Sequence, residues 1–391
     1  MATTRNLVSE RVGKVPPSGI RKFFDLLASM KDVISLGVGE PDYTTPWVIR
    51  EAAIHSIEDG MTMYTSNKGM PELRQEVSRY LERQYGLQYD PETEILITVG
   101  VSEAMDLTAR AILDPGDEVI LPDPAFGAYP ACVTFAEGIP VTVPTSCEDG
   151  FALSAQDVRD RITPRTKAIF IGYPANPTGA VMTKRELTKI ADVAKAHSLL
   201  VISDEIYAQL TYGMQHTCFA SLPGMKDCTI LLGGFSKAYA MTGWRVGYAA
   251  GTAEIIEAMT KIHQYTMMCV PTMGQVAAME ALKSGEDEVQ EMVRDYDRRR
   301  RVIVKGLNDI GLTCFEPKGA FYAFPSVKVT GLSGDEFAEE LLKEEKVAVV
   351  PGSAFGQAAT NHIRCCYATS LEEIQEALKR IGRFVEKRRR G

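Results

Sequence analysis

Apolar and polar positions follow one another along this chain in two rhythms. Over 46–59 and 71–85 the apolar residues return every three to four positions, the period of a helix with one buried face. Short unbroken apolar runs then take over. Glu94-Ile95-Leu96-Ile97-Thr98-Val99 predicts a strand, Gly100 ends it, and 102–113 returns to the helical period. The turn Asp114-Pro115-Gly116-Asp117 leads into a strand at 118–121. Further strands are predicted at 141–143, 168–171, 199–202, 229–232 and 246–250, several with helical segments between them. Such alternation predicts an α/β fold, a mostly parallel sheet covered by helices on both faces. Right-handed crossovers then gather the loops at the carboxyl ends of the strands along one edge, where ligands bind.

Beyond about residue 252 the pattern changes. Helices at 253–268, 274–283 and 286–310 precede two short strands, a helix near 333–343, strand-like 347–350 and 363–367, and a terminal helix over 371–388. This predicts a smaller α+β domain. The expected division is an N-terminal arm with part of the small domain at 1–45, a large domain at 46–290, and a small C-terminal domain at 291–391. The arm is expected to pack against the small domain or a partner subunit.

Composition narrows the class. A chain of 391 residues buries enough surface to need neither metal nor disulfide for stability. With 43 Lys and Arg against 51 Asp and Glu, the net charge of −8 argues against a nucleic-acid partner. The run Arg298-Arg299-Arg300-Arg301 does not reverse this, because four consecutive helical positions point in four directions. It reads as a solvated, partly paired helix, and Lys387-Arg388-Arg389-Arg390 as a solvated helix end. No uncharged apolar run approaches the roughly 18 residues of a membrane span, and no signal peptide is expected at the start. The 8 cysteines form no Cys-x-x-Cys pair, and the adjacent Cys365 and Cys366 read as small buried strand residues. His55, His197, His216, His263 and His362 have no metal-ligand spacing, so no metal is expected. The expected setting is a reduced, cytoplasmic one.

Candidate chemistry sits at the predicted strand ends. The run Ala168-Ile169-Phe170-Ile171 is followed by Gly172-Tyr173-Pro174-Ala175-Asn176-Pro177-Thr178-Gly179, a loop held in one shape by its prolines and glycines. Leu199-Leu200-Val201-Ile202 runs into Ser203-Asp204-Glu205-Ile206-Tyr207, and a carboxylate at a buried strand end needs a partner. Ile230-Leu231-Leu232 runs into Gly233-Gly234-Phe235-Ser236-Lys237, with Arg245 following in Gly243-Trp244-Arg245-Val246-Gly247. A deprotonated lysine attacks carbonyls. Arginine and serine suit a phosphate, as do the free amides of Gly100-Val101-Ser102 where a helix begins. A buried carboxylate can pair with a protonated ring nitrogen. Together these parts describe a pocket for a phosphorylated aromatic aldehyde held by lysine. No Gly-x-Ser-x-Gly elbow is present, which removes a serine hydrolase from consideration. Gly37-Val38-Gly39 is not a dinucleotide fingerprint, because Asp42 stands where a third glycine is needed.

This ordered set resembles the class I pyridoxal-phosphate aminotransferases of fold type I. The stretches that carry the resemblance are Ser35-Leu36-Gly37-Val38-Gly39-Glu40-Pro41-Asp42, Tyr64-Thr65-Ser66-Asn67-Lys68-Gly69, Pro174-Ala175-Asn176-Pro177-Thr178-Gly179, Ser203-Asp204-Glu205-Ile206-Tyr207, and Ser236-Lys237 with Gly243-Trp244-Arg245. It covers nearly the whole chain, and Ser18-Gly19-Ile20-Arg21-Lys22-Phe23 points to the bacterial aspartate and N-acetyl-diaminopimelate branch.

The resemblance implies that Lys237 holds pyridoxal 5'-phosphate covalently and, once displaced, serves as the acid–base at the substrate α-carbon. It implies that Asp204 pairs with the pyridine nitrogen, that Tyr207 and Asn176 bond the ring's phenolic oxygen, and that Phe126 stacks on the ring. Val101, Ser102, Ser236 and Arg245 would hold the phosphate. Tyr64 would reach the phosphate of a neighbouring subunit, which makes the enzyme a homodimer with shared sites. Arg364 would clamp the substrate α-carboxylate, with Gly39 adding a backbone contact. Glu103, beside the phosphate loop, is expected to point away from it. The implied reaction moves an amino group from an L-amino acid to a 2-oxo acid, with L-aspartate and 2-oxoglutarate as the leading pair. Aromatic or N-acetyl-LL-diaminopimelate transamination is the alternative, and a β-lyase a further one. An acidic substrate needs a second cation, for which Arg21, Lys22 and Lys68 are candidates.

Overall fold

The computed structural model describes residues 7–17 and 32–390. Its centre is a seven-stranded sheet made of β2 (Ile95–Thr98), β3 (Glu118–Asp123), β4 (Ile139–Pro144), β5 (Thr166–Ile171), β6 (Leu200–Asp204), β7 (Thr229–Gly234) and β8 (Gly247–Ala250). The spatial order is β2-β8-β7-β6-β5-β3-β4. β8 runs antiparallel to both its neighbours, and the pairings among β3 to β7 are parallel. The mostly parallel expectation therefore stands, with one reversed strand. The side chains explain the layering. Ala168 and Phe170 of β5 face one apolar cluster while Ile169 and Ile171 face another, so the strand is buried on both sides and reads as a continuous apolar run. Helices Gly100–Ile112, Ala128–Phe135 and Ala253–Thr266 line one face, and Lys184–Ala196 lies on the other.

A smaller β-containing unit stands beside this layer. β11 (Val350–Pro351), β12 (Ile363–Cys366) and β9 (Tyr322–Ala323) form an antiparallel sheet in that order. β1 (Ile34–Ser35) pairs in parallel with β10 (Val347–Ala348), so this part of the N-terminal segment joins this unit. The long helix Glu286–Ile310 and the helices Gly334–Glu345 and Leu371–Arg390 pack around it.

Several expectations need correction. Between 310 and 333 only one strand forms among the described residues. Gly319, Pro317 and Pro325 interrupt the ladder, leaving isolated bridges such as Cys314 to Pro325. The run 347–350 splits into two strands, because residues 347 and 348 pair with β1 while 350 and 351 pair with β12. The short helix Glu10–Lys14 packs against Ala128–Phe135, and Arg11 pairs with Glu137, so this part of the arm joins the large sheet layer. The arginine run is less solvated than expected. Arg298 and Arg301 are exposed, but Arg299 and Arg300 are buried. Arg299 grips Asp42 through two contacts of 2.8 Å and Asp295 at 2.7 Å; Arg300 joins Asp297 and Glu316, each at 2.7 Å. The C-terminal basic run also finds partners, Arg388 on Glu340 and Lys387 on Glu344. Cys365 and Cys366 are buried in β12, as expected.

Candidate active site

A cavity of about 260 Å³ opens where the carboxyl ends of the central strands meet the smaller unit. Eleven of the twelve residues expected at a site line it: Gly39, Val101, Ser102, Phe126, Asn176, Asp204, Tyr207, Ser236, Lys237, Arg245 and Arg364. The twelfth, Tyr64, lies elsewhere and is 79% exposed. These residues come from separate strand exits. Asn176 follows β5, Asp204 ends β6, Ser236 and Lys237 follow β7, and Arg364 is on β12. The sheet edge thus does what the strand pattern predicted.

Burial sets the chemistry of the two central groups. Lys237 Nζ donates to the Gly39 carbonyl at 2.7 Å, and burial lowers its pKa to about 8. At pH 7 about a tenth of such an amine is neutral, against about one part in three thousand for an ordinary lysine. The Asp204 carboxyl is pushed up to about 6 by burial, while the Ile206 amide at 3.0 Å and the Tyr129 hydroxyl at 2.8 Å pull the other way. It is thus an anion held by two donors at the cavity wall, ready to meet a positive partner.

Arg364 is the largest fully buried side chain, 2% exposed. Its Nη1 donates to Asn176 Oδ1 at 2.8 Å and its Nη2 to the Gly37 carbonyl at 2.7 Å. The guanidinium stands over Tyr322 at 4.5 Å and Phe355 at 4.9 Å, which fixes its plane. Its Nε is buried without a partner among the described residues. Donors so placed suit a carboxylate.

A third corner is built from backbone. Gly100 takes φ +73° where β2 turns into the helix Gly100–Ile112, and a Cβ there would lie 2.6 Å from Arg245 Nη2. Arg245 itself has φ +56°, an uncommon conformation for a side-chain-bearing residue. Helix amides, Ser102, Ser236 and a guanidinium converge there, the donor set a phosphate takes. Glu103 turns back as expected, accepting from the Val99 amide and His263. A neutralisable lysine, a carboxylate, a carboxylate-binding arginine and an anion cradle on one cavity fit a phosphorylated aromatic aldehyde and an amino acid.

Sequence reading missed two residues. Tyr129 supports Asp204 and stacks on Phe170 at 4.1 Å, and a Cβ on Gly172 would meet its hydroxyl at 2.1 Å. It stands three positions after Phe126, and its amide donates to the Phe126 carbonyl at 2.9 Å, so nearness to Phe126 was a usable signal. Tyr322 shares a 2.6 Å hydrogen bond with the Tyr207 hydroxyl and carries the Arg364 plane. Nothing local in Ala320-Phe321-Tyr322-Ala323 marks it. Of the candidate second cations, Lys68 points elsewhere, 3.4 Å from Glu257 and 3.3 Å from the Glu92 carbonyl. Arg21 and Lys22, with the rest of Ser18-Gly19-Ile20-Arg21-Lys22-Phe23, lie outside the described residues.

Comparison with known proteins agrees with this geometry. Residues 31–381 match the family described as aminotransferase class I and II. The chain is 46% identical to an aspartate aminotransferase of Pyrococcus abyssi, covering 98% of this chain and 99% of that one. It is 44% identical, over the same shares, to aromatic-amino-acid aminotransferase 2 of Thermococcus litoralis. Its fold superposes on the Thermus thermophilus aspartate aminotransferase solved with maleate at a TM-score of 0.92, with 39% identity over 97% of this chain and 99% of that one.

Proposed function

Because this chain belongs to the class I and II aminotransferases and works with pyridoxal phosphate in a ping-pong cycle, we propose that it takes its amino group from L-aspartate and passes it to 2-oxoglutarate. The observation that carries this reading is the meeting of Lys237 Nζ, the Asp204 carboxylate and the Arg364 guanidinium on one cavity. When bound, the cofactor supplies an electron sink for the pair left at the substrate α-carbon. The residues of the chain do the rest. Lys237 would anchor the aldehyde, and its freed amine would take the proton from the α-carbon and deliver it to the former aldehyde carbon, so that the amino group stays behind when the oxo acid leaves. Asp204 keeps a proton on the pyridine nitrogen. Tyr207 and Asn176 would hydrogen-bond the phenolic oxygen, and Phe126 would cover the ring. Val101, Ser102, Ser236 and Arg245 would hold the phosphate. Arg364, with the Gly39 backbone, orients the amino acid by its carboxylate so that the α-hydrogen faces Lys237.

The working unit in this reading is a cytoplasmic homodimer, with Tyr64 completing the neighbour's phosphate site. The exposure of Tyr64 supports the dimer. The free, unbridged cysteines suit a reducing compartment. No helix among the described residues is long and apolar enough to cross a membrane.

One observation favours a second reading. Among the described residues, the cations on the cavity are Lys237, Arg245 and Arg364, each with a role above, and Met105, Ile206 and Phe126 give the lining an apolar part. A side-chain carboxylate finds no further cation there, which suits an aromatic donor. The absorbance of the holoenzyme separates the two. Added L-aspartate, with no oxo acid present, is expected to bleach the visible cofactor band. If aspartate leaves the band unchanged and tyrosine or phenylalanine bleaches it, the donor is aromatic.

The depressed basicity of Lys237 has its own consequence. Uptake of pyridoxal phosphate by the cofactor-free protein is expected to speed up with pH and level off just above pH 8, as the amine loses its proton. Stopped-flow absorbance measures this. A rate still climbing at pH 10 would mean that Lys237 has ordinary basicity.

A further inference from the structure

The helix Gly100–Ile112 carries a carboxylate in its first turn, at Glu103. An acid there suits the helix dipole, but it repels the dianionic phosphate that the proposed function seats on the same amides. The structure answers this conflict with a specific contact. Glu103 Oε2 accepts from the Val99 amide, and Oε1 meets His263 Nδ1 at 2.7 Å. The two side chains are 8% and 0% exposed. His263 belongs to the helix Ala253–Thr266, which packs along Gly100–Ile112. Its Nε2 is buried with no partner among the described residues, so the contact that orients the ring is the one to Glu103. A carboxylate this far from water is costly unless paired, and an imidazole in its path is the group that pairs it.

We propose that His263 is a positioning residue for the cofactor phosphate. Its hydrogen bond to Glu103 Oε1 holds the carboxylate turned back from the helix mouth. Through the Val99 amide the same pair fixes the turn that aims Gly100, Val101 and Ser102 into the cavity. The inference rests on the reading that these amides, with Ser236 and Arg245, hold the phosphate.

Equilibrium dialysis of the full-length protein tests it, with pyridoxal phosphate as one ligand and pyridoxal, which lacks the phosphate, as the other. A glutamine amide reaches to where Nε2 stands, so His263→Gln leaves no donor at the Nδ1 position and frees the Glu103 carboxylate to face the phosphate. Its dissociation constant for pyridoxal phosphate is expected to rise about tenfold or more, while that for pyridoxal stays within about twofold. Glu103→Gln, which removes the charge that has to be held away, is expected to leave both constants within about twofold. The double variant is expected to recover the affinity for pyridoxal phosphate. Equal losses with both ligands, or no recovery in the double variant, would overturn the proposal and leave His263 a packing role. Selective loss of pyridoxal phosphate in Glu103→Gln alone would overturn it too. If His263→Gln does not fold, the double variant, which buries no charge, carries the test by the same expectation. Arg245→Gln checks the underlying reading separately. Indifference of that variant to the phosphate removes the cradle itself, and the proposal with it. A phosphate-specific loss there, beside an indifferent His263→Gln, removes the His263 proposal alone.

Discussion

Lys237→Ala is expected to abolish the covalent cofactor band and to cut turnover by about four orders of magnitude or more. The reason is geometric as well as chemical. Lys237 Nζ lies on the cavity wall 2.7 Å from the Gly39 carbonyl, and burial has already lowered its hold on a proton. No other amine lines that cavity among the described residues, so no neighbour takes over its task. The proposed phosphate-binding residues Val101, Ser102, Ser236 and Arg245 are untouched by the change. The variant should therefore still bind pyridoxal phosphate reversibly, in a form that dialysis removes. An absorbance spectrum before and after dialysis, with an assay of amino transfer, decides the matter. Retention of both the band and the turnover would sink the assignment of Lys237.

The second large effect is expected at Arg364. Arg364→Lys keeps the charge but loses the planar fork, and the KM for the amino acid should rise about a hundredfold with cofactor content unchanged. Arg364→Ala should weaken binding further, because it also empties a volume packed between Tyr322 and Phe355. Steady-state kinetics together with the cofactor-to-protein ratio reads both. Loss of cofactor at unchanged KM would mean that Arg364 serves Asn176 and the ring, the partner it touches at 2.8 Å, and not the substrate.

Much of this site is legible in the sequence itself, for a local reason. Asn176, Asp204 and Lys237 each lie at or just after the end of a short apolar strand, so the strand pattern alone places them on one edge of the sheet. Lys237 after Gly233-Gly234 and Asn176 between two prolines are examples. Arg364 was less marked, since its neighbours in Ile363-Arg364-Cys365 are plain strand residues. Its role came from resemblance, and its burial with Asn176 and the Gly37 carbonyl is what ties it to the cavity. The arginine run shows the opposite failure. Periodicity said that its members point in different directions, but could not say that Asp42 and Glu316 would come from distant segments to pair two of them in the interior.

The chain's own order of residues determined the α/β layering, the sheet edge that carries the chemistry, and the identity of the reactive groups. These depend on contacts within a strand, a turn or a helix, where neighbours in sequence are neighbours in space. The tertiary structure alone decided how reactive those groups are. Tyr129 reaches Asp204 across 75 positions, Tyr322 reaches Tyr207 across 115, and Gly39 reaches Lys237 across 198. A group's proton affinity depends on the water it loses and the partners it gains, and both are set by segments that no local pattern brings together.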